Sequence, residues 1–227
     1  MTTLRIIEFL ALFVGAPTLF AYARHRFPAI PALWVLMGYC LFILLRDPQF
    51  DRGHLWDPTT VRTPYLLQIL GLWLFAVIVG VVSIRRFAPD LLFSLPRANP
   101  RFWGLIMVLY PVFSVYPQGI IYRAFLFHRY RDFLVSGWLL VLASTFAFAY
   151  VHIIFRNPLA VVLTALGGVI FGFRYWQTGS LVTSSIEHAL YGCGIFTIGF
   201  GRSFYHGAVR GSTVMQAASA RAPGSYS

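Results

Sequence analysis

The stretch YPQGIIYRAFLFHRY, residues 116–130, interrupts an apolar run with Pro117, Gln118, Gly119, Arg123, His128 and Arg129. Further along, FAFAYVH (146–152) sets Phe148 and His152 four residues apart, hence on one helical face. The stretch TGSLVTSSIEHALYG (178–192) turns at Thr178, Gly179 and Ser180, then carries Ser184, Ser185, Glu187 and His188 on a helix. Gly192 follows His188 by one turn and leaves a gap beside the imidazole. An imidazole can position water, hold an oxyanion or ligate a metal. A guanidinium can pair with a carboxylate. A carboxamide can orient water but cannot serve as a base at neutral pH.

An ionisable group inside hydrocarbon costs on the order of 3 kcal/mol or more unless it is paired or hydrated. The informative residues are therefore Gln118, Arg123, His128, His152, Arg174, Glu187 and His188. Plain structural roles compete with functional ones. His152 or His188 alone would serve as a hydrogen-bonding group between helices. Arg174 lies near a helix end, where its guanidinium can snorkel to the interface. His128 and Arg129 read as interfacial. Arg123 lies inside IIYRAFLF and is expected to face protein and pair with another group. Glu187 is the one acid deep in the later apolar segments; it reads as the partner of Arg123 or Arg174, or as an interfacial group. A helix sets it about 100° from its neighbour His188, so a role as base is the lesser reading. Tyr191, Gly192, Cys193 and Gly194 would let another helix approach closely.

The elements that must position these residues are membrane helices. The chain has 227 residues, 58% hydrophobic and 11% charged, with a mean hydropathy of +0.71, outside the range of a soluble domain. Apolar segments run over 5–23, 30–45, 64–83, 102–127, 135–155, 158–176 and 180–200. That gives seven spans, or eight if 102–127 breaks near Pro111 or Pro117. The runs are continuous rather than alternating, which excludes a transmembrane barrel. The fold class is thus all-α, a polytopic transmembrane bundle. One domain is expected over 1–210, followed by a small, polar, disordered tail from about 211. The first apolar stretch reads as a retained helix rather than a cleaved signal, and the expected location is the bacterial inner (cytoplasmic) membrane. All 18 basic residues are Arg, and the net charge is +11. They cluster at segment ends, which suits anionic lipid and no nucleic acid. Their distribution puts the N-terminus outside. Cys40 and Cys193 read as free, buried thiols. No inverted repeat supports a transporter.

Together, the arginine of 116–130, the Phe-x-x-x-His of 148–152, the TGSL turn and the following His188 resemble the CPBP family. These are the CAAX-protease and bacteriocin-processing intramembrane proteases, and the resemblance covers about residues 100–210. Arg123 matches the arginine of the family's Glu-Glu-x-x-x-Arg motif. Phe148 and His152 match its Phe-x-x-x-His, and His188 matches the histidine of its His-x-x-x-Asn/Asp. The resemblance implies a bundle of about eight helices around a wet cavity, in which a glutamate activates water against a peptide carbonyl. It also implies that the histidines bind water and the oxyanion.

This chain departs from that pattern where Gln118 and Gly119 stand in place of the two glutamates, and Gly192 in place of the asparagine. The expected site is therefore His152, His188, Arg123 and Gln118, with Phe148, Tyr122 and Gly192 lining the substrate path. No cofactor is certain. A divalent metal such as zinc would suit the histidines, but two nitrogens fall short of the usual three protein ligands. The expected activity is intramembrane endopeptidase cleavage of a membrane-associated peptide or protein. The alternative is a catalytically impaired relative that binds or scaffolds in the membrane.

Overall fold

The computed structural model describes residues 2–23 and 27–201; the tail expected from about 211 lies outside them. Among these residues the chain is helical, without strands. The first helix, α1, joins Thr2–Leu10, Ala11–Gly15 and Ala16–Ala23 end to end. It is followed by α2 (Ala29–Arg46), α3 (Thr63–Phe87), α4 (Pro100–Tyr130), α5 (Gly137–Phe155), α6 (Pro158–Thr178) and α7 (Leu181–Ile198). The first six are long and apolar enough to cross a membrane. The last is diluted by Ser184, Ser185, Glu187 and His188, yet Ser184, Glu187 and His188 are buried. It is the helix that needs protein around it rather than lipid.

Local chemistry starts and stops these helices. Asn99, Ser136 and Asn157 accept hydrogen bonds from the backbone N–H groups of Phe102, Leu139 and Leu159, capping α4, α5 and α6. Pro100 and Pro158 occupy first turns, where a missing N–H does no harm. Gly179 ends α6 at φ 62°, a left-handed geometry that a side chain disfavours.

The prolines inside α4 do not divide it. The helix widens instead into π turns at Pro111–Val115 and Ile120–Phe125, and the long helices among the described residues number seven. Pro117 brings no N–H to the carbonyl four residues back, that of Phe113. Trp34 Nε1 of α2 donates to that carbonyl at 3.0 Å. The helix stays whole because a neighbour supplies the missing donor.

Small residues let the inner helices meet. A Cβ at Gly168 of α6 would lie 3.0 Å from the Thr145 Cα of α5. On the other side, Trp73 of α3 donates to the Leu190 carbonyl of α7 at 2.9 Å. The outward faces expose large apolar side chains such as Leu19, Val35, Phe75 and Val82, as lipid contact requires. Cys40 is buried and Cys193 partly so; both are free thiols.

One arginine reading changes here, and one open pairing is decided. Arg174 does not snorkel: it is 5% exposed. Its Nε donates to Glu187 Oε2 at 2.8 Å, and its Nη1 donates to Gln68 and Gln177 at 3.1 and 2.9 Å. Glu187 accordingly pairs with Arg174 and not with Arg123, because α6 and α7 face each other there. His128 and Arg129, near the end of α4, are partnered: His128 lies 2.9 Å from Asp47, and Arg129 makes two 2.9 Å bonds to Glu8 of α1.

Candidate active site

A cavity of about 1330 Å³ opens between α3, α4, α5, α6 and α7. Its wall is almost wholly aliphatic and aromatic. Gln118, Ser114 and Tyr110 of α4, His152 of α5 and His188 of α7 bring polar groups to it. No Asp, Glu, Arg or Lys lines it among the described residues. Apolar walls with a few converging polar groups are the usual build of a ligand site.

The two histidines meet at one ring. Phe148 lies on α5 a turn before His152, and the His152 ring sits 4.8 Å from it. The His188 ring stands edge-on to the same Phe148 at 5.3 Å and stacks on Phe171 of α6 at 4.5 Å. Helices distant in the chain thus put both imidazoles beside one cavity. The His152 Nδ1 lies 2.6 Å from the Phe148 carbonyl. A carbonyl only accepts, so Nδ1 carries a proton, and in the neutral ring Nε2 is the acceptor. The His188 Nε2 lies 3.4 Å from the Tyr110 hydroxyl, while its buried Nδ1 has no hydrogen-bond partner among the described residues.

Gln118 lines the cavity as well. Its Nε2 donates to Ser114 Oγ, one turn earlier, at 2.7 Å, and its Oε1 is buried without a partner among the described residues. Gly119 points elsewhere. A Cβ there would meet Leu181 Cδ1 at 2.6 Å and Ser185 Oγ at 3.2 Å, so the position is packed against α7.

Arg123 departs from expectation. It is 1% exposed, and neither Nε nor Nη2 has a hydrogen-bond partner among the described residues. Its guanidinium lies 4.7 Å from the centre of the Phe148 ring and 5.3 Å from that of Phe171. It sits behind the aromatic wall rather than in the cavity and makes cation–π contacts in place of an ion pair. The acid expected to hold it is engaged by Arg174.

Tyr122 is 2% exposed and packs against Phe148 and Phe13 in the core, off the cavity wall. Gly192 does line the cavity, but the space beside it is full. A Cβ there would overlap Cε1, Oη and Cζ of Tyr110. The gap expected beside His188 is occupied by a tyrosine ring from α4. Motif spacing gave no sign of Tyr110, which lies outside all three motifs. Ser114 was legible in principle, four residues before Gln118 on the same helical face.

The donor set does not suit a metal. Among the described residues no three His, Cys, Asp or Glu side chains cluster. One nitrogen of His152 is committed to a backbone carbonyl. Two imidazoles alone fall short of a catalytic zinc site.

The family model for Rce1-like type II CAAX prenyl endopeptidases matches residues 99–193. That span runs from the cap of α4 to just past Gly192 and contains Gln118, Arg123, His152 and His188. No curated protein and no solved structure matches the chain.

Proposed function

The 99–193 segment belongs to the CPBP family of CAAX-type proteases, and from that premise we propose that the protein is an intramembrane endopeptidase whose base is an imidazole. One observation carries the reading: His152 and His188 flank the same Phe148 ring on the wall of an apolar, uncharged cavity framed by membrane helices. Apolar walls receive the side chains of a membrane-associated peptide, and the polar cluster receives its backbone. Helical spans rather than a barrel go with the bacterial inner membrane.

The step follows from the tautomer. Nε2 of His152 accepts a proton from water, and the oxygen attacks the scissile carbonyl carbon. Charge gathers on the carbonyl oxygen, where hydrogen-bond donors stabilise it. Collapse breaks the C–N bond, and His152 returns its proton to the leaving amine. Gln118 orients water or backbone through its carboxamide. No step calls on a metal.

A second reading has its own support. No carboxylate among the described residues lines the cavity, and a relative without an acid can hold a peptide without cutting it. Reconstituted protein, incubated with membrane peptides carrying a fluorescence-quenched reporter, separates the two. Turnover by the unmodified chain, reduced about 100-fold or more in His152→Ala, carries the endopeptidase reading. Gln118→Glu is the informative companion: it is nearly isosteric and restores an acid at a position on the cavity wall. A silent parent beside an active Gln118→Glu means that this chain binds and does not cut. Silence in both defeats hydrolysis at this site.

A further inference from the structure

We infer that Tyr110 is a catalytic residue of this site, whose hydroxyl donates a hydrogen bond to the carbonyl oxygen of the bound peptide, and that Gly192 is glycine to make room for it. The inference rests on the endopeptidase reading and adds a group that no motif supplies.

The geometry is specific. Tyr110 is the last residue of α4 before the Pro111–Val115 π turn and lines the cavity beside His188. Its ring fills the space that any side chain at position 192 would need. The Tyr110 ring also stands edge-on to Phe196 of α7 at 5.2 Å, which holds it upright. Its hydroxyl is 3.4 Å from His188 Nε2, a long contact that leaves it available to a better acceptor.

The hydrogen-bond inventory assigns the direction. His188 Nδ1 is buried and has no partner among the described residues. A bare acceptor is tolerated better than a bare N–H. That favours the tautomer with the proton on Nε2, where it donates to the Tyr110 oxygen. The tyrosine O–H is then left to donate into the cavity. A hydroxyl that accepts one bond is a stronger donor of the next. Such a donor stabilises an oxyanion most where the surroundings are of low polarity, and these walls are almost wholly apolar.

The test combines turnover with binding. In the proteoliposome assay, Tyr110→Phe removes one oxygen and keeps the ring; kcat is expected to fall about 100-fold with little change in KM. Gly192→Asn alone is expected to abolish turnover by expelling the ring. Gly192→Asn combined with Tyr110→Ala should recover part of it, since the new carboxamide has both space and a donor. An unchanged kcat in Tyr110→Phe overturns the proposal. Should the unmodified chain cleave nothing, the endopeptidase reading fails separately, and the donor is read from the affinity of a membrane-soluble peptide aldehyde. Binding about tenfold weaker in Tyr110→Phe sustains the role of the hydroxyl. Equal binding, or none to either chain, overturns it.

Discussion

Arg174 and Arg123 are both buried guanidiniums, and their surroundings differ in a way that stability measurements can read. Arg174 has a carboxylate and two carboxamides; Arg123 has two aromatic faces. Removing one member of a buried pair leaves an uncompensated charge, which typically destabilises by about 3–5 kcal/mol. Glu187→Gln should therefore lower the melting temperature in detergent sharply. Replacing both partners, Arg174→Met with Glu187→Leu, should be much milder. Equal losses in the single and double variants would mean that the pair is not coupled. Gln118 offers a contrast at the same scale, since its buried Oε1 has no partner among the described residues. Buried orphans of that kind collect at functional sites, where substrate or water completes them.

At the level of the element, α4 is the unusual helix. Two π turns and two internal prolines re-aim its side chains, so that Tyr110, Ser114 and Gln118 reach the cavity while Tyr122 and Arg123 turn into the core. Such π bulges recur at functional sites because they change register without ending the helix. The α5–α6 contact works by close approach instead. Gly168→Val should destabilise by about 1–3 kcal/mol, because the Cβ would press on the Thr145 backbone 3.0 Å away. Gly71 of α3 is the control, where an added Cβ would meet no described neighbour within 4 Å. Gly71→Ala should be neutral or stabilise by up to about 1 kcal/mol. Chemical denaturation in micelles distinguishes the two. A neutral Gly168→Val would show that the helices separate freely.

For the whole molecule, apolar outer faces commit the bundle to lipid, and polar clamps tie its margins. One clamp joins Asp47, just past α2, to His128 at the end of α4; another joins Glu8 to Arg129. The hydrogen bond from His128, followed by that from the Gln49 N–H, holds the Asp47 carboxyl below the usual carboxylate range. A lowered folded-state value makes the ionised form the stabilising one. Its contribution is complete above the unfolded value of about 3.9 and is lost as pH falls through the folded value. Thermal stability should thus decline below about pH 4, and Asp47→Asn should flatten that part of the profile. A profile identical to that of the parent would remove the clamp from the account.

The amino-acid sequence by itself determined that the chain is a bundle of membrane helices, roughly where each begins and ends, and which family its second half resembles. Those properties follow from apolar run length, capping residues and the order of short motifs, all of them local. It also singled out His152 and His188, which line the cavity. What only the tertiary structure decided was pairing and filling. Glu187 had two possible arginines, and the facing of α6 and α7 chose Arg174. Gly192 read as empty space, and a tyrosine about 80 residues earlier in the chain occupies it. Gln118 and Gly119 stood in place of two adjacent motif acids, and the packing of α4 set one on the cavity wall and the other against Leu181. A one-dimensional pattern states which groups a chain has to satisfy; which partner satisfies each is set by the packing of helices that are far apart in sequence.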